Sequence, residues 1–499
     1  MELKPAVCYR AVQARDARYD GRFFTCVRTT GIYCRPICPA RPPKLENCTF
    51  VPTAAAAQAA GYRPCLRCRP ESSPELDAWR GTEATVSRAL KLIETGALDE
   101  GNVASLAERL EIGERQLRRL LGQHIGAAPI AVAQTRRVLL AKQLIHQTDL
   151  SMIEVALASG FGSVRRFNET FQQMYGRPPS ELRRRAKSGL PAPEITILLP
   201  YRPPYDWATM IRFLEARAID GLEVVTCDSY SRVVEFDDVV GSIHVMHAPE
   251  QSSLRVTVRI PRLIALPTII SRIRRQFDLG AEPNAIAAAL SSDSILAPLV
   301  AARPGLRVPG GWDGFEIAVR AVVGQHVTVK AATRLATRIV ATFGGDVAEK
   351  SGVAGLTHVF PRPEQFSAKR LVKLGMPQAR AKCLTGIADA MIADERLFDP
   401  RRDLAESVAQ LRKLAGIGEW TAQYIAMRSL GESDAFLAAD VALQRKFAKF
   451  GRRPTAEKLL ARAERWRPWR AYATLHLWMA DADATHNSST KETYNALTA

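Results

Sequence analysis

Leu414-Ala415-Gly416-Ile417-Gly418-Glu419-Trp420-Thr421-Ala422 decides the fold of the C-terminal half. Two glycines one residue apart interrupt a helical pattern, and helical periodicity resumes at once with Trp420-Thr421-Ala422. This is a helix-hairpin-helix signature. Gly416 and Gly418 let the backbone come close to a phosphate, and the N–H groups at the start of the next helix bind it without sequence preference. Twenty-two residues after Gly418, in Asp434-Ala435-Phe436-Leu437-Ala438-Ala439-Asp440-Val441, stands Asp440. A lone Asp in a helical region is ordinarily a cap or a surface residue. Downstream of a phosphate-binding hairpin it becomes a candidate carboxylate for chemistry on the bound strand.

After Pro304-Gly305-Leu306 the pattern is almost wholly helical, with breaks at Gly310-Gly311, Gly344-Gly345 and Gly416-Ile417-Gly418. Before it, Val224 to Thr226, Ser231 to Phe236, Ser242 to Met246 and Leu254 to Ile260 are β-branched runs separated by polar turns, which predicts an antiparallel sheet. Helical stretches at about 206 to 218 and 263 to 277 flank them, giving a small α+β unit. The C-terminal half also carries Pro203-Pro204-Tyr205-Asp206-Trp207, Ala302-Arg303-Pro304-Gly305-Leu306, Val323-Gly324-Gln325, Trp466-Arg467-Pro468-Trp469-Arg470 and Leu475-His476-Leu477-Trp478. With the hairpin and Asp440, these resemble the AlkA branch of the helix-hairpin-helix glycosylases, which excise alkylated bases such as 3-methyladenine.

That resemblance implies a catalytic carboxylate at Asp440 and an aromatic base pocket of Phe213, Trp420, Tyr424 and Trp478; core packing is the competing explanation for each ring. A cationic alkylated base is already a good leaving group, so one carboxylate that stabilises an oxocarbenium-like sugar and orients water is sufficient. A flipped, electron-deficient base stacks well on aromatic faces. Bifunctional relatives carry a Schiff-base lysine just after the hairpin. Trp420 stands there instead, which implies a monofunctional hydrolase with no lyase step. Gln325 and His326 occupy the place of DNA contacts; His326 departs from the family's apolar or Gln wedge.

Nine cysteines occur, seven of them within the first 68 residues, a clustering that points to metal ligation before disulfides. Cys34-x3-Cys38 and Cys65-x2-Cys68 have the spacing of a tetrahedral four-thiolate site for one Zn2+. Spacing alone fits a purely structural zinc site. Cys26 and Cys48 lack a partner at ligand spacing and read as small buried residues. Val27 to Arg41 together with Gly61-Tyr62-Arg63-Pro64-Cys65-Leu66-Arg67-Cys68 resembles the N-terminal domain of the Ada family of adaptive-response proteins. The resemblance implies that Cys34 takes a methyl group from a DNA methylphosphotriester. A thiolate kept on zinc is a nucleophile at neutral pH, and its methylation removes a negative charge that repels DNA phosphates. Arg41 and Arg63 are the favoured phosphate contacts, with Arg35 and Arg67 as further candidates.

From Thr82 to about Lys187 two helix-break-helix units follow. Val103 to Leu110 and Glu114 to Leu121 share a seam of Leu106, Leu110, Leu117 and Leu120; Met152 to Ser159 and Val164 to Tyr175 flank Gly160-Phe161-Gly162, with Ser163 as the expected N-cap. Two such units, ending in Gly176-Arg177-Pro178-Pro179, resemble the AraC-type double helix-turn-helix, also found beside the zinc module in Ada proteins. Arg115, Arg118 and Arg165 are its candidate DNA contacts, with Gln116, Arg119, Arg166 and Asn168 near them.

The chain has 499 residues, 47% hydrophobic and 24% charged, with net charge +18. That composition excludes disorder, and the positive field favours a polyanionic partner. The excess is denser before residue 190, with 29 Lys+Arg against 18 Asp+Glu. No stretch approaches ~18 uninterrupted apolar residues and the start has no apolar signal core, so a cytoplasmic protein without membrane association is expected.

The expected fold is multidomain, mainly α with α+β. It comprises a four-cysteine zinc domain at 1–76, an AraC-type double helix-turn-helix at 82–187, an antiparallel-sheet α+β domain at 194–305 and an all-α helix-hairpin-helix glycosylase domain at 306–490. A basic, Gly- and Pro-containing linker over 183–193 divides the halves. Two functional readings follow. The first is an alkylation-repair glycosylase fused to a methylation-dependent transcriptional activator that meets double-stranded DNA and RNA polymerase. The second is a regulator with structural zinc, whose glycosylase fold only holds DNA. No Pro-Cys-His-Arg motif occurs, so direct repair of O6-methylguanine is not expected.

Overall fold

The structure is a computed structural model that describes residues 4–73, 84–99, 101–183, 194–236, 239–347, 352–399, 403–448 and 452–481. The expected linker, apart from Arg183, and the last expected domain beyond 481 lie outside these residues. Two compact units form, one from Met1–Tyr201, Ser229–Arg274 and Glu349–Val353, the other from Arg202–Asp228, Arg275–Ala348 and Ala354–Ala499. Among the described residues no helix is long and apolar enough to cross a membrane.

The first unit opens with helix Pro5–Ala14, followed by a four-stranded sheet in the order Cys48–Val51, Phe24–Val27, Ile32–Cys34 and Arg63–Pro64. The first three strands are antiparallel, and Arg63–Pro64 joins parallel to Ile32–Cys34. That parallel pairing delivers Cys65 beside Cys34, the next position in register after Tyr33 opposite Pro64, although the two are thirty-one residues apart in sequence. Cys26 is fully buried as expected, whereas Cys48 is only half-buried and donates to the Lys44 carbonyl (3.2 Å) because its strand lies at the sheet edge.

The helical part has its expected breaks. Val103–Arg109 starts from a capping box of Asn102 and Ser105, Met152–Ala158 from one of Ser151 and Glu154, and Ser163 Oγ accepts from Arg166 N (3.2 Å) to cap Val164–Tyr175. The Leu106, Leu110, Leu117 and Leu120 seam is buried against Val86, Leu92 and Ala133. The helix Pro129–Gln147 links the two helix-turn-helix motifs. Asp99 ties them together through ion pairs to Arg136 and Arg137, the latter at 2.8 Å.

The same long helix docks on the zinc module. Lys142 Nζ, fully buried, pairs with the buried Glu71 (2.7 Å) and donates to the Cys65 carbonyl (3.2 Å). Thr53 Oγ1 donates to the Ile125 carbonyl (2.8 Å), and Thr135 Oγ1 to Gln58 (3.0 Å), which in turn reaches the hydroxyl of Tyr33 (2.9 Å), the residue before Cys34.

The first unit also holds strands Ile195–Pro200, Ser253–Arg259, Val239–Ala248 and Ser229–Phe236, antiparallel neighbours in that order. Ile195–Pro200 was not expected from sequence. Its Ile195, Ile197 and Leu199 alternate inward, a period-two pattern obscured by the prolines around it.

In the second unit, helix Gly314–Val323 is the spine, burying eight of its ten residues. Around it pack Trp207–Glu215, Val329–Phe343, Gln378–Ala393 and Glu419–Ile425, with Phe213, Ile317, Leu384, Ala422, Leu443 and Leu477 in one core. The stretches 202–207 and 302–307 meet directly. Asp206 N donates to the Gly305 carbonyl (3.0 Å), and a Cβ on Gly305 would fall 2.4 Å from the Pro204 backbone. The fold is multidomain and mainly helical, with two small sheets.

Candidate functional site

The hairpin turns between Leu404–Arg412 and Glu419–Ile425. Gly416 has φ +89°, and a Cβ there would lie 2.8 Å from the Cys383 sulfur, so both backbone conformation and packing require glycine. Gly418 caps the second helix, and a Cβ there would meet nothing within 4 Å. The surface over Gly418 is open to close approach by a phosphate.

Gln325 lies beside this turn, but its amide is directed at the protein. Its Nε2 donates to the Gly416 carbonyl (3.1 Å) and to Thr421 Oγ1 (3.0 Å), and Arg380 donates to its carbonyl (2.7 Å). The Gln325 side chain thus clamps the hairpin through its amide nitrogen. His326, next in the chain, is exposed and held at φ +57°, a left-handed conformation that a β-substituted residue adopts at a cost of about 1–3 kcal/mol.

Asp440 caps helix Val441–Lys446. Oδ1 accepts from Ala442 N (3.0 Å), Leu443 N (3.1 Å) and Trp478 Nε1 (3.1 Å), while Oδ2 accepts from Trp420 Nε1 (3.0 Å). One carboxylate thus serves both as a cap and as the meeting point of two indoles. Trp420 stacks flat on Tyr424, with centroids 5.2 Å apart at 12°. Trp420, Tyr424 and Trp478 are partly exposed, and Phe213 is buried.

Two arginines that sequence reading passed over complete this wall. Arg428 Nη1 donates to the Tyr424 hydroxyl (2.7 Å), and its guanidinium carbon lies 4.8 Å from the Phe213 centroid. The Arg217 guanidinium lies 3.7 Å over the same ring. Burial tends to raise the Tyr424 phenol, but Arg428, Arg217 and Arg320 outweigh it and bring the group below its ordinary value. Burial also lowers Arg217, to about 10, leaving it cationic at neutral pH. The signal was present as helical spacing, since Arg217 follows Phe213, and Arg428 follows Tyr424, by four residues. The π-helical turn Ala426–Leu430 that buries Arg428 was not legible from the sequence.

In the first unit the sulfurs of Cys34, Cys38, Cys65 and Cys68 lie within 4.8 Å of one another. Tetrahedral Zn–S bonds of ~2.3 Å place sulfurs roughly 3.8 Å apart, so the donor set fits one Zn2+. Mutual hydrogen bonds bring Cys38 down to about 7 and Cys65 lower still, while Cys34 and Cys68 are pushed up. Four thiolates this close need a cation to coexist, and they hold one zinc ion. Cys34 is the most exposed of the four cysteines, partly exposed where the other three are buried. Arg35 pairs with the buried Asp20 and donates to the Cys68 carbonyl (3.1 Å), so it braces the zinc loop instead of facing a phosphate. Arg41 and Arg67 are exposed and Arg63 is half-exposed.

In the two helix-turn-helix motifs Arg115, Gln116, Arg118, Arg119, Arg165, Arg166 and Asn168 are all exposed. Arg118 pairs with Glu114 (2.5 Å) and Arg165 with Glu169 (2.8 Å). Such solvated pairs contribute only ~0.3–0.5 kcal/mol, which leaves both arginines available to a phosphate or base.

The family described as the metal binding domain of Ada matches residues 7–71, a helix-turn-helix domain matches 106–185, and the AlkA N-terminal domain matches 196–313. A probable bifunctional transcriptional activator/DNA repair enzyme AlkA of Mycobacterium tuberculosis is 40% identical over 94% of this chain and 95% of its own length. DNA-3-methyladenine glycosylase 2 of Escherichia coli is 32% identical over 57% of this chain and 96% of its own. Among solved structures, a 3-methyladenine DNA glycosylase from Archaeoglobus fulgidus aligns with TM-score 0.50 and 22% identity, covering 57% of this chain and 98% of that one, a likeness of fold.

Proposed function

The chain belongs to the family of bifunctional transcriptional activator/DNA repair enzymes, and on that premise we propose how its parts divide the work. The second unit is a DNA-3-methyladenine glycosylase that hydrolyses the N-glycosidic bond of alkylated bases, and the first unit carries an Ada-type methyl acceptor joined to a sequence-specific DNA-binding region. The four segments 1–76, 82–187, 194–305 and 306–490 are assigned to zinc module, helix-turn-helix pair, α+β domain and glycosylase domain.

The observation that carries the reading is the Asp440 carboxylate, fixed by two backbone N–H groups and two indoles beside an aromatic wall and a phosphate-binding hairpin. In this reading the hairpin grips the backbone, His326 fills the gap left by the flipped nucleotide, and the Trp420–Tyr424 stack receives the base. Asp440 faces the sugar, stabilises positive charge developing at C1′ and orients the attacking water. Because Trp420 stands where a Schiff-base lysine would be, the product is an intact abasic site.

In the first unit Cys34 Sγ attacks the methyl carbon of a phosphotriester, the C–O bond breaks, and a phosphodiester anion leaves. Bound Zn2+ keeps the sulfur deprotonated at neutral pH. Arg41 and Arg63 hold flanking phosphates, and the exposed Arg115, Arg118 and Arg165 contact promoter DNA. Loss of one negative charge at the zinc site strengthens DNA affinity. RNA polymerase is the proposed partner of the DNA-bound form, and the cytoplasm its compartment.

The test is incubation of the full chain with methylated duplex DNA, followed by chromatography of released bases and peptide mapping of the protein. Free 3-methyladenine and a methyl group on Cys34 are expected. No released base rejects the glycosylase, and an adduct elsewhere, or none, rejects Cys34 as acceptor.

A further inference from the structure

The aromatic wall of the proposed base site has opposite charges at its two ends. At one end Trp420 Nε1 donates to the Asp440 carboxylate (3.0 Å); at the other the Tyr424 hydroxyl accepts from Arg428 (2.7 Å), and the Arg217 guanidinium carbon lies 3.7 Å from the Phe213 ring centroid. Arg428 is 5% exposed. Glu223 and Glu316 are engaged by Arg320 (2.6 and 2.8 Å), and among the described residues no carboxylate forms an ion pair with Arg217 or Arg428. Their hydrogen-bond and ring contacts are to neutral groups: the Phe213 and Gly310 carbonyls, the Tyr424 hydroxyl and the aromatic rings. Arg428 is withdrawn from water and Arg217 partly so, and Glu223, itself paired with Arg320, acts on Arg428 only from a distance. Two guanidiniums held this way without an ion-paired carboxylate are costly to keep, and core packing alone would be served better by apolar side chains.

Resting on the reading of Asp440 as the carboxylate at the sugar, we propose that Arg217 and Arg428 form the opposite pole of an electric field along the wall and drive the glycosidic electron pair into the departing base. Cleavage of the C1′–N bond always moves charge in this direction: the sugar becomes positive next to Asp440, and the base becomes one unit more negative next to the arginines. A cationic alkylated base leaves neutral, relieving repulsion present while it was bound. A neutral lesion leaves as an anion whose charge the guanidiniums offset, and the Tyr424 hydroxyl, its oxygen already accepting from Arg428, is free to turn its proton toward that anion. Water adds to C1′, its proton passing by way of Asp440 to solvent, and the released base anion takes a proton from solvent. The two arginines are thus positioning and specificity residues that favour departure of the base over its binding.

This predicts a separation that a merely structural role does not give. Arg217→Gln should slow single-turnover excision about tenfold on duplexes carrying either 7-methylguanine, a cationic base, or hypoxanthine, a neutral one, with an unchanged melting temperature. Arg217→Lys, which keeps the charge, should stay within about threefold of wild type. In an Asp440→Asn background, which permits equilibrium binding, Arg217→Gln should bind the 7-methylguanine duplex several-fold more tightly and the hypoxanthine duplex unchanged. Equal losses in the Gln and Lys variants, an unaltered rate in Arg217→Gln, or weaker binding of the cationic lesion overturns the field. A wild type that excises neither lesion instead removes the glycosylase reading, and the field with it.

Discussion

Replacing Asp440 by Asn tests the site through two magnitudes that the structure sets separately. The amide carbonyl can take the place of Oδ1 and keep the bonds from Ala442 N, Leu443 N and Trp478 Nε1. Its NH2 then faces Trp420 Nε1, donor against donor, and the 3.0 Å bond is lost. A bond to a charged acceptor contributes ~1.5–3 kcal/mol and the helix macrodipole ~0.5 kcal/mol. Trp420 is only half-buried, so water recovers part of this, and the net loss should be about 2 kcal/mol. For a unit of this size that is a fall of roughly 4–8 °C in melting temperature. Catalysis should suffer far more. Removing a preorganised charge from a developing ion costs ~10²–10³ in rate, and loss of water orientation adds to it, so a fall of at least about 10³ is expected. Single-turnover release of 3-methyladenine, run beside differential scanning calorimetry, reads both. A folded Asp440→Asn that excises within tenfold of wild type refutes the assignment. A melting loss well beyond 15 °C refutes the hydrogen-bond count.

Cys34→Ser should abolish methyl uptake in the peptide map while base excision continues at the wild-type rate; loss of excision as well would show that the two activities are not separable in this way. Lys142→Met leaves Glu71 buried without its partner, which should destabilise the first unit by ~3–5 kcal/mol and weaken zinc retention through the Cys65 carbonyl, measured by urea unfolding and by chelator competition. Burial lowers His476 to about 4, with the charge of Arg303 adding to the effect. Its unfolded value is ~6.5, so the unfolded chain binds a proton first as pH falls, and stability should drop by about 3 kcal/mol between pH 6.5 and 4. His476→Gln should flatten that profile; an unchanged slope in urea midpoints would exclude His476 as its source.

Local features carried the sequence reading furthest. Ser163, read from the sequence as an N-cap, fixes where its helix begins through a bond to a neighbour three residues away, and Asn102 and Ser151, which were not singled out from sequence, do the same for theirs; such caps are visible in one dimension. Cys34-x3-Cys38 and Cys65-x2-Cys68 were legible because each pair is a local chelate loop, and the parallel pairing of Arg63–Pro64 with the Cys34 strand brings the pairs together. Contacts across long separations were hidden. Glu71 and Lys142 are seventy-one residues apart and belong to no motif in the sequence, yet they form a buried pair. Arg35 looked like a phosphate ligand because it neighbours a cysteine, and only the fold shows Asp20 beneath it. Gln325 matched a DNA-contact position, while its bonds to Gly416 and Thr421 depend on a loop ninety-one residues downstream.

That last clamp has a mechanical consequence. The turn presenting His326 and the hairpin turn proposed to grip a phosphate are fastened together by Gln325, so they behave as the two jaws of a fixed-span caliper. Under the proposed function, the span from gripped phosphate to displaced nucleotide is then a built-in ruler, and a lesion too near the end of a duplex offers the second jaw nothing to close on.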